Sequence, residues 1–302
     1  MKTLYLHIGT PKTATSSIQK FLAENWDVLQ KHGYFFPEST HIYPRVNARR
    51  NAHFLSGRVR NGEGIRDKEK EKTYLEEGLQ QVRDAFQNYD NVILTDESIW
   101  YCLCYLKKSL LCDLKKEADK QGYQIKVIVY LRRQDKFLLS RWNQRVKQKS
   151  TSDAVLSCDE YFELTQKKEK DIYQYGKILD GIAEVIGKEN LIVRRFDVES
   201  WRDGSIIHDF MHEIGIDVTP EFHELEKNAN LSLDKNTTEI KRILNQEESF
   251  TMKEISYMGK FLKKISENYI QKDHTEMLAK EELQQFLELY VKENERVAEE
   301  YI

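Results

Sequence analysis

Nine residues near the start of the chain carry its densest chemistry: Gly9-Thr10-Pro11-Lys12-Thr13-Ala14-Thr15-Ser16-Ser17. They stand between an apolar run, Leu4 to Ile8, and a helical pattern that begins near Ser16. A loop in that position turns successive backbone N–H groups toward one point. The helix behind it adds partial positive charge at its N-terminus. Thr13, Thr15, Ser16 and Ser17 supply hydroxyl donors and Lys12 a full charge, so the segment reads as an anion cradle. A hydroxyl-rich helix cap with its lysine in water is the other reading of the same residues.

The spacing differs from the loop of nucleoside triphosphatases. That motif places lysine directly after its second glycine and follows it with Ser or Thr. Here Ala14 stands where that glycine would be, Thr15 follows it, and the lysine comes earlier, at Lys12. The displaced lysine argues against a kinase or NTPase, as does the lack of a strong strand-end aspartate to hold a metal.

A second concentration of charge runs from Arg45 to Arg66. It holds six arginines (45, 49, 50, 58, 60 and 66), three asparagines and one acid, Glu63. The segment has little periodicity. A loop over the site of an anionic ligand and a solvated surface loop are both open.

These residues need elements to position them. Leu4 to Ile8, Val92 to Thr95, Lys126 to Leu131 and Leu191 to Val193 read as strands, and β-branched apolar runs of this kind suit strands covered on both faces. Ile18, Phe21, Leu22, Trp26 and Leu29 follow helical spacing, with Thr15 or Ser16 as the cap. Further helices are expected over Tyr105 to Lys120, Gln134 to Lys149 and Ile172 to Ile186, the last ending at Gly187. Strands alternating with helices predict an α/β fold, a central parallel sheet with flanking helices. From Asp234 onward no strand is expected, and Leu283, Phe286, Leu287, Tyr290 and Val297 mark one apolar stripe. The expectation is a single domain, 1–302, with a core over 1–233 and a helical annex over 234–302.

Composition narrows the classes. The chain has 302 residues and a net charge of −3 among 32% charged residues, which disfavours a cationic field for nucleic acid. No run approaches the roughly 18 apolar residues of a membrane span, and the N-terminus lacks a signal-peptide pattern. A soluble, cytoplasmic protein is expected. Cys102, Cys104, Cys112 and Cys158 form no paired zinc spacing and no disulfide framework, so reduced thiols and no metal are expected.

Pro11-Lys12-Thr13-Ala14-Thr15-Ser16-Ser17 resembles the 5′-phosphosulfate loop of sulfotransferases that use 3′-phosphoadenosine 5′-phosphosulfate (PAPS), with Ala14 where the family usually has glycine. The family's second motif is a strand ending in arginine with serine eight residues on, matched here by Arg132 and Ser140. Ile192 to Asp197, Asn230 to Leu233 and Asn294 to Ala298 also resemble segments of bacterial carbohydrate-type sulfotransferases. The resemblance implies a P-loop-like sulfotransferase fold, PAPS as co-substrate, 3′-phosphoadenosine 5′-phosphate (PAP) as product and no metal. It implies a glycan-like acceptor. Pro11 to Ser17 would hold the 5′-phosphosulfate, Arg132 and Ser140 the 3′-phosphate, and Lys12 the charge on the leaving oxygen. Asn230 and Ser232 are weaker nucleotide contacts. The family takes its base, His or Glu, from differing positions. Glu97 ranks first here, His53 second and Glu38 third, with His41 a further candidate. Arg49, Arg50 and His53 are the expected acceptor contacts. A divergent kinase or NTPase, and a non-catalytic PAP(S)-binding protein, are the alternatives.

Overall fold

Every residue of Thr3–Gly9 is buried, which only a strand covered on both faces achieves. In the computed structural model this is β1, the middle of a five-stranded sheet. The structure describes residues 1–44, 46–105, 109–149, 151–225, 233–268 and 277–302. The other strands are β2 (Tyr34–Phe35), β3 (Asn91–Thr95), β4 (Gln124–Leu131) and β5 (Leu191–Arg195). Their order is β2-β3-β1-β4-β5 and every pairing is parallel. The expected α/β fold with a parallel central sheet and flanking helices is what the chain adopts.

The strand order decides where a ligand can sit. After β1 the chain goes out to β2 at the edge and comes back to β3 beside β1, then crosses to β4 and β5 on the other side. The direction reverses at β1, so the carboxyl end of β1 opens between the ends of β3 and β4, the place where α/β sheets bind ligands.

Four expected strands match the observed ones to within a few residues. β2 was not anticipated, being two residues long. The first helix ends earlier than its apolar spacing predicts. It runs Thr15–Glu24, breaks at Asn25 and resumes as Trp26–Lys31. The Asn25 amide donates to the Phe21 and His223 carbonyls and accepts from the His223 N–H, which holds the break. Beyond it Trp26 is 55% exposed and is not part of the core. The C-terminal stripe likewise divides between two helices, Lys280–Glu288 and Val291–Tyr301.

The chain forms two compact units. One comprises 1–132, 174–226 and 293–302 and holds the whole sheet; the other comprises 133–173 and 227–292. In the second unit Gln134–Gln148 packs with Lys235–Gln246. Asn143 donates to the Leu233 carbonyl and Thr238 Oγ1, and Asn245 donates to the Val146 and Ala154 carbonyls. These buried amides satisfy backbone groups of a distant segment, which ties 133–173 to the later helices.

Lys241 lies at the centre of that packing with no exposed surface, its Nζ donating to Val146 and Asn245. Burial, aided by nearby Lys149, pushes its pKa down to about 8. The unfolded chain holds that proton up to about pH 10.4. Between those values the unfolded state binds more protons, so stability rises with pH across the window, by up to about 3 kcal/mol. Thermal melts from pH 7 to 10 should show this rise in the wild type. It should be flattened in Lys241→Met; parallel slopes for the two proteins would refute the assignment.

Candidate active site

The loop after β1 is built on backbone that few side chains tolerate. Gly9, Lys12 and Ala14 all have positive φ, at 91°, 70° and 57°. Left-handed residues at alternate positions are the backbone from which an anion-binding nest of N–H groups is built. Thr10 anchors the loop by donating through both N–H and Oγ1 to the Tyr130 carbonyl of β4. Thr13 is fully buried and its hydroxyl donates back to the Thr10 carbonyl, so that proton holds the loop closed. Ser16 is exposed and Lys12, Ala14 and Ser17 are half-buried, which leaves these four the accessible members of the loop set.

Thr15 or Ser16 was the expected helix cap. The cap residue is Ala14, in the left-handed region and with no side-chain cap bond. The first turn of Thr15–Glu24 also has no acidic residue. Its N–H groups and dipole therefore keep their positive character. Ala14 pays a steric cost of about 1 kcal/mol there that glycine would avoid. Ala14→Gly should accordingly raise stability by about 0.5–1 kcal/mol, read as an increase in denaturation midpoint. A lower midpoint would mean that the methyl packs usefully and strain is not the governing term.

Two cations meet over the loop. Arg132 follows the last residue of β4, held by Tyr175, whose hydroxyl donates to the Arg132 carbonyl at 2.6 Å. The Arg132 guanidinium donates to the Lys12 carbonyl at 2.8 Å and lies 5.4 Å from the Phe196 ring centroid. The Lys12 pKa is lowered, first by burial and then by the Arg132 charge, with Glu97 opposing. Lys12, Arg132 and Glu97 are thus within electrostatic reach of one another. Glu97 follows Asp96 at the end of β3, so close that a Cβ on Gly9 would lie 3.3 Å from the Glu97 Cβ. That approach and its positive φ reserve position 9 for glycine.

The arginine-rich segment is organised at its centre. β2 covers only the first two residues of β3. The Asn51 amide takes over the exposed edge, donating to the Ile93 carbonyl at 3.0 Å and accepting from the Thr95 N–H at 2.7 Å, and the Ala52 N–H donates to the Thr95 carbonyl. Pinning 51–52 there delivers the residues on either side, Arg50 and His53, to the end of β3. Asp96 receives them. It is fully buried and accepts from Arg50 Nε at 3.0 Å, from Arg50 Nη2, from the Ser98 N–H at 2.8 Å and from His53 Nδ1 at 2.6 Å. Burial alone would raise the Asp96 pKa, but the His53 hydrogen bond and the Arg50 charge hold it below the ordinary aspartate value. Arg50 also reaches Glu97 at 3.5 Å and donates to Ser98 Oγ. Gln19, from the helix after the loop, donates to the other Glu97 oxygen at 3.5 Å.

Lys12, Arg132, Glu97, Arg50 and His53 therefore gather around the carboxyl ends of β1, β3 and β4. Other expected residues stand differently. The Arg50 guanidinium is engaged by Asp96, Glu97 and Ser98 and does not project toward solvent. Arg60 donates to the Gly64 carbonyl and Arg66 pairs with Glu71. Arg49 is half-buried, and its backbone N–H donates to Asn47. Glu38 is exposed and lines a surface pocket with Trp26, Gln30 and Phe36. His41 is buried with its Nε2 on Glu77. Ser140 is half-buried in Gln134–Gln148, a helix of the other compact unit. Arg45, Asn230 and Ser232 lie outside the described residues.

Asp96 is the residue the sequence reading missed. It is the strand-end aspartate thought to be lacking, and the pattern apolar strand followed by Asp is visible at Val92 to Asp96. Among the described residues no group of three or more His, Cys, Asp and Glu side chains is placed to hold a metal ion. No described helix is long and apolar enough to cross a membrane.

No family model matches the chain. An uncharacterized protein of Archaeoglobus fulgidus is 29% identical over 178 residues, which is 58% of this chain and 45% of the relative. The chain thus matches less than half the length of that relative. Among solved structures, a sulfotransferase from Alicyclobacillus acidocaldarius aligns with 76% of this chain and 88% of its own, at 17% identity and a TM-score of 0.43.

Proposed function

We propose that this chain transfers a sulfuryl group from PAPS to a hydroxyl or amine of a glycan-like acceptor. The observation that carries the reading is the loop at the end of β1. Its backbone has alternating left-handed residues, its helix terminus is left uncapped by any side chain, and Lys12 stands with its charge disfavoured by burial and by Arg132. A site that disfavours its own cations is one that an anion completes. The 5′-phosphosulfate of PAPS is such an anion, and the residues resemble the loop that binds it. Arg132 would take the 3′-phosphate. Sulfuryl transfer itself depends on positioning and on charge stabilisation at the leaving oxygen. Lys12 supplies that charge from the loop, and the acceptor's proton passes to a base at the end of β3, where Glu97 and His53 both stand.

Asp96, at the end of a strand next to β1, is the one feature that favours a nucleoside triphosphatase, in which such a residue holds the metal. Its oxygens are already taken by Arg50, His53 and the Ser98 N–H, which weighs against that role. Thermal stabilisation separates the two readings, because a ligand stabilises in proportion to the logarithm of its concentration over its dissociation constant. PAP should raise the melting temperature at micromolar concentration, and ATP with magnesium should do so far less. The reverse order would replace sulfuryl transfer with phosphoryl transfer. Transfer of radiolabelled sulfate from [³⁵S]PAPS to candidate glycans then tests catalysis against simple nucleotide binding.

A further inference from the structure

The Asp96–His53 pair has a geometry that charge neutralisation alone does not require. Arg50 and the Ser98 N–H both bond Asp96 Oδ1. Oδ2 is left to His53 Nδ1 at 2.6 Å, with Ser56 Oγ more distant at 3.4 Å. A carboxylate with these donors is ionised, so the short contact requires a proton on Nδ1, and the neutral ring then carries its lone pair on Nε2. The ring is also closely packed. Tyr43 meets it edge-on at 4.5 Å, and Gly57 lies so close that a Cβ there would be 2.9 Å from His53 Cδ2. Among the described residues His53 Nε2 has no hydrogen bond, and it is not among the buried polar atoms left without a partner.

We propose that Asp96 is a positioning residue that fixes His53 in the Nδ1–H tautomer, so that His53 Nε2 is the base of the transfer; this rests on the sulfuryl-transfer reading. Nε2 takes the acceptor's proton as the acceptor oxygen or nitrogen bonds to sulfur. The bond from sulfur to the 5′-phosphate oxygen breaks, and its electron pair leaves with PAP. The imidazolium that forms is balanced by Asp96. Glu97 is the weaker candidate, because both its oxygens face donors, Arg50 Nη1 at 3.5 Å and Gln19 Nε2 at 3.5 Å. Its place between Arg50 and Lys12 suits a counter-charge. The arrangement of histidine and buried aspartate follows the logic by which a carboxylate selects the active tautomer of a base.

Asp96→Asn tests this through its hydrogen bonds. Three N–H donors crowd the Oδ1 position, so the new amide nitrogen is driven to the Oδ2 side. There it donates to His53 Nδ1, and the ring proton moves to Nε2. Nitrogen NMR of the His53 ring in the full chain should show Nδ1–H in the wild type and Nε2–H in Asp96→Asn. The kcat should fall by roughly 10²–10⁴, while the Kd for PAP stays within about twofold. If Asp96→Asn does not fold, His53→Ala leaves the Asp96–Arg50 pair in place. It should lose comparable turnover, exceed the loss in Glu97→Gln, and recover in part with added imidazole. An Nε2–H ring in the wild type overturns the proposal. So does unchanged turnover in folded Asp96→Asn, a larger loss in Glu97→Gln, or no recovery with imidazole. A wild-type protein that ignores PAP removes the sulfuryl-transfer reading instead, and the ring spectrum still decides the tautomer.

Discussion

Lys12→Ala should lower the kcat for sulfuryl transfer by about 10²–10³, the usual cost of removing one preorganised charge or donor from a developing anion. The Kd for PAPS should rise less than about tenfold. The reason is the difference between ground and transition states. In bound PAPS the bridging oxygen carries little charge, and the loop amides, the helix terminus and Arg132 remain to hold the nucleotide. As the bond to sulfur breaks, that oxygen gains nearly a full charge, and the Lys12 ammonium then contributes most. Lys12 is suited to this because burial and Arg132 raise the energy of its charge, which a developing anion relieves. Alanine is the right replacement. The position has φ 70°, which costs lysine and alanine alike, whereas glycine would relax the loop and confound the result. Single-turnover and steady-state rates with saturating PAPS decide the matter. A raised KM with kcat unchanged would show that Lys12 holds substrate and transition state equally.

The sheet was legible because its strands are continuous apolar runs, and β1 and β4 are buried along nearly all their length. The phosphate loop was legible for a different reason: its residues are contiguous, so their spacing alone carries the motif. What the sequence hid was assembled from a distance. Arg50 and His53 are 46 and 43 residues from Asp96, and nothing local links them. The link is the Asn51 side chain completing the edge of β3 that a two-residue β2 leaves open. An asparagine between an arginine and Ala52-His53 looks like loop until that edge is known. The helix cap was misread because hydroxyl residues usually cap with their side chains, while here a left-handed Ala14 makes the turn. Nor can periodicity reveal that buried Asn143 and Asn245 bind the helices after 233 to 133–173.

Arg132→Ala should discriminate between two nucleotides that differ only at the 3′ position. A charge-assisted, two-pronged contact to phosphate contributes about 1.5–3 kcal/mol, or roughly 10- to 150-fold in affinity. The Kd for PAP should rise by that factor, and the Kd for adenosine 5′-phosphate, which lacks the 3′-phosphate, should change by only a few-fold. The second figure is not unity, because the Arg132 guanidinium also donates to the Lys12 carbonyl and steadies the loop that both ligands use. The ratio of the two losses therefore separates recognition from support. Arg132→Lys sharpens the separation. It keeps the charge but lacks the planar fork, so it should recover part of the PAP affinity and little of the loop contact. Calorimetric titration of all three proteins with both nucleotides gives the comparison directly. Equal losses for PAP and adenosine 5′-phosphate would make Arg132 a buttress of Lys12 and move the 3′-phosphate contact to another cation.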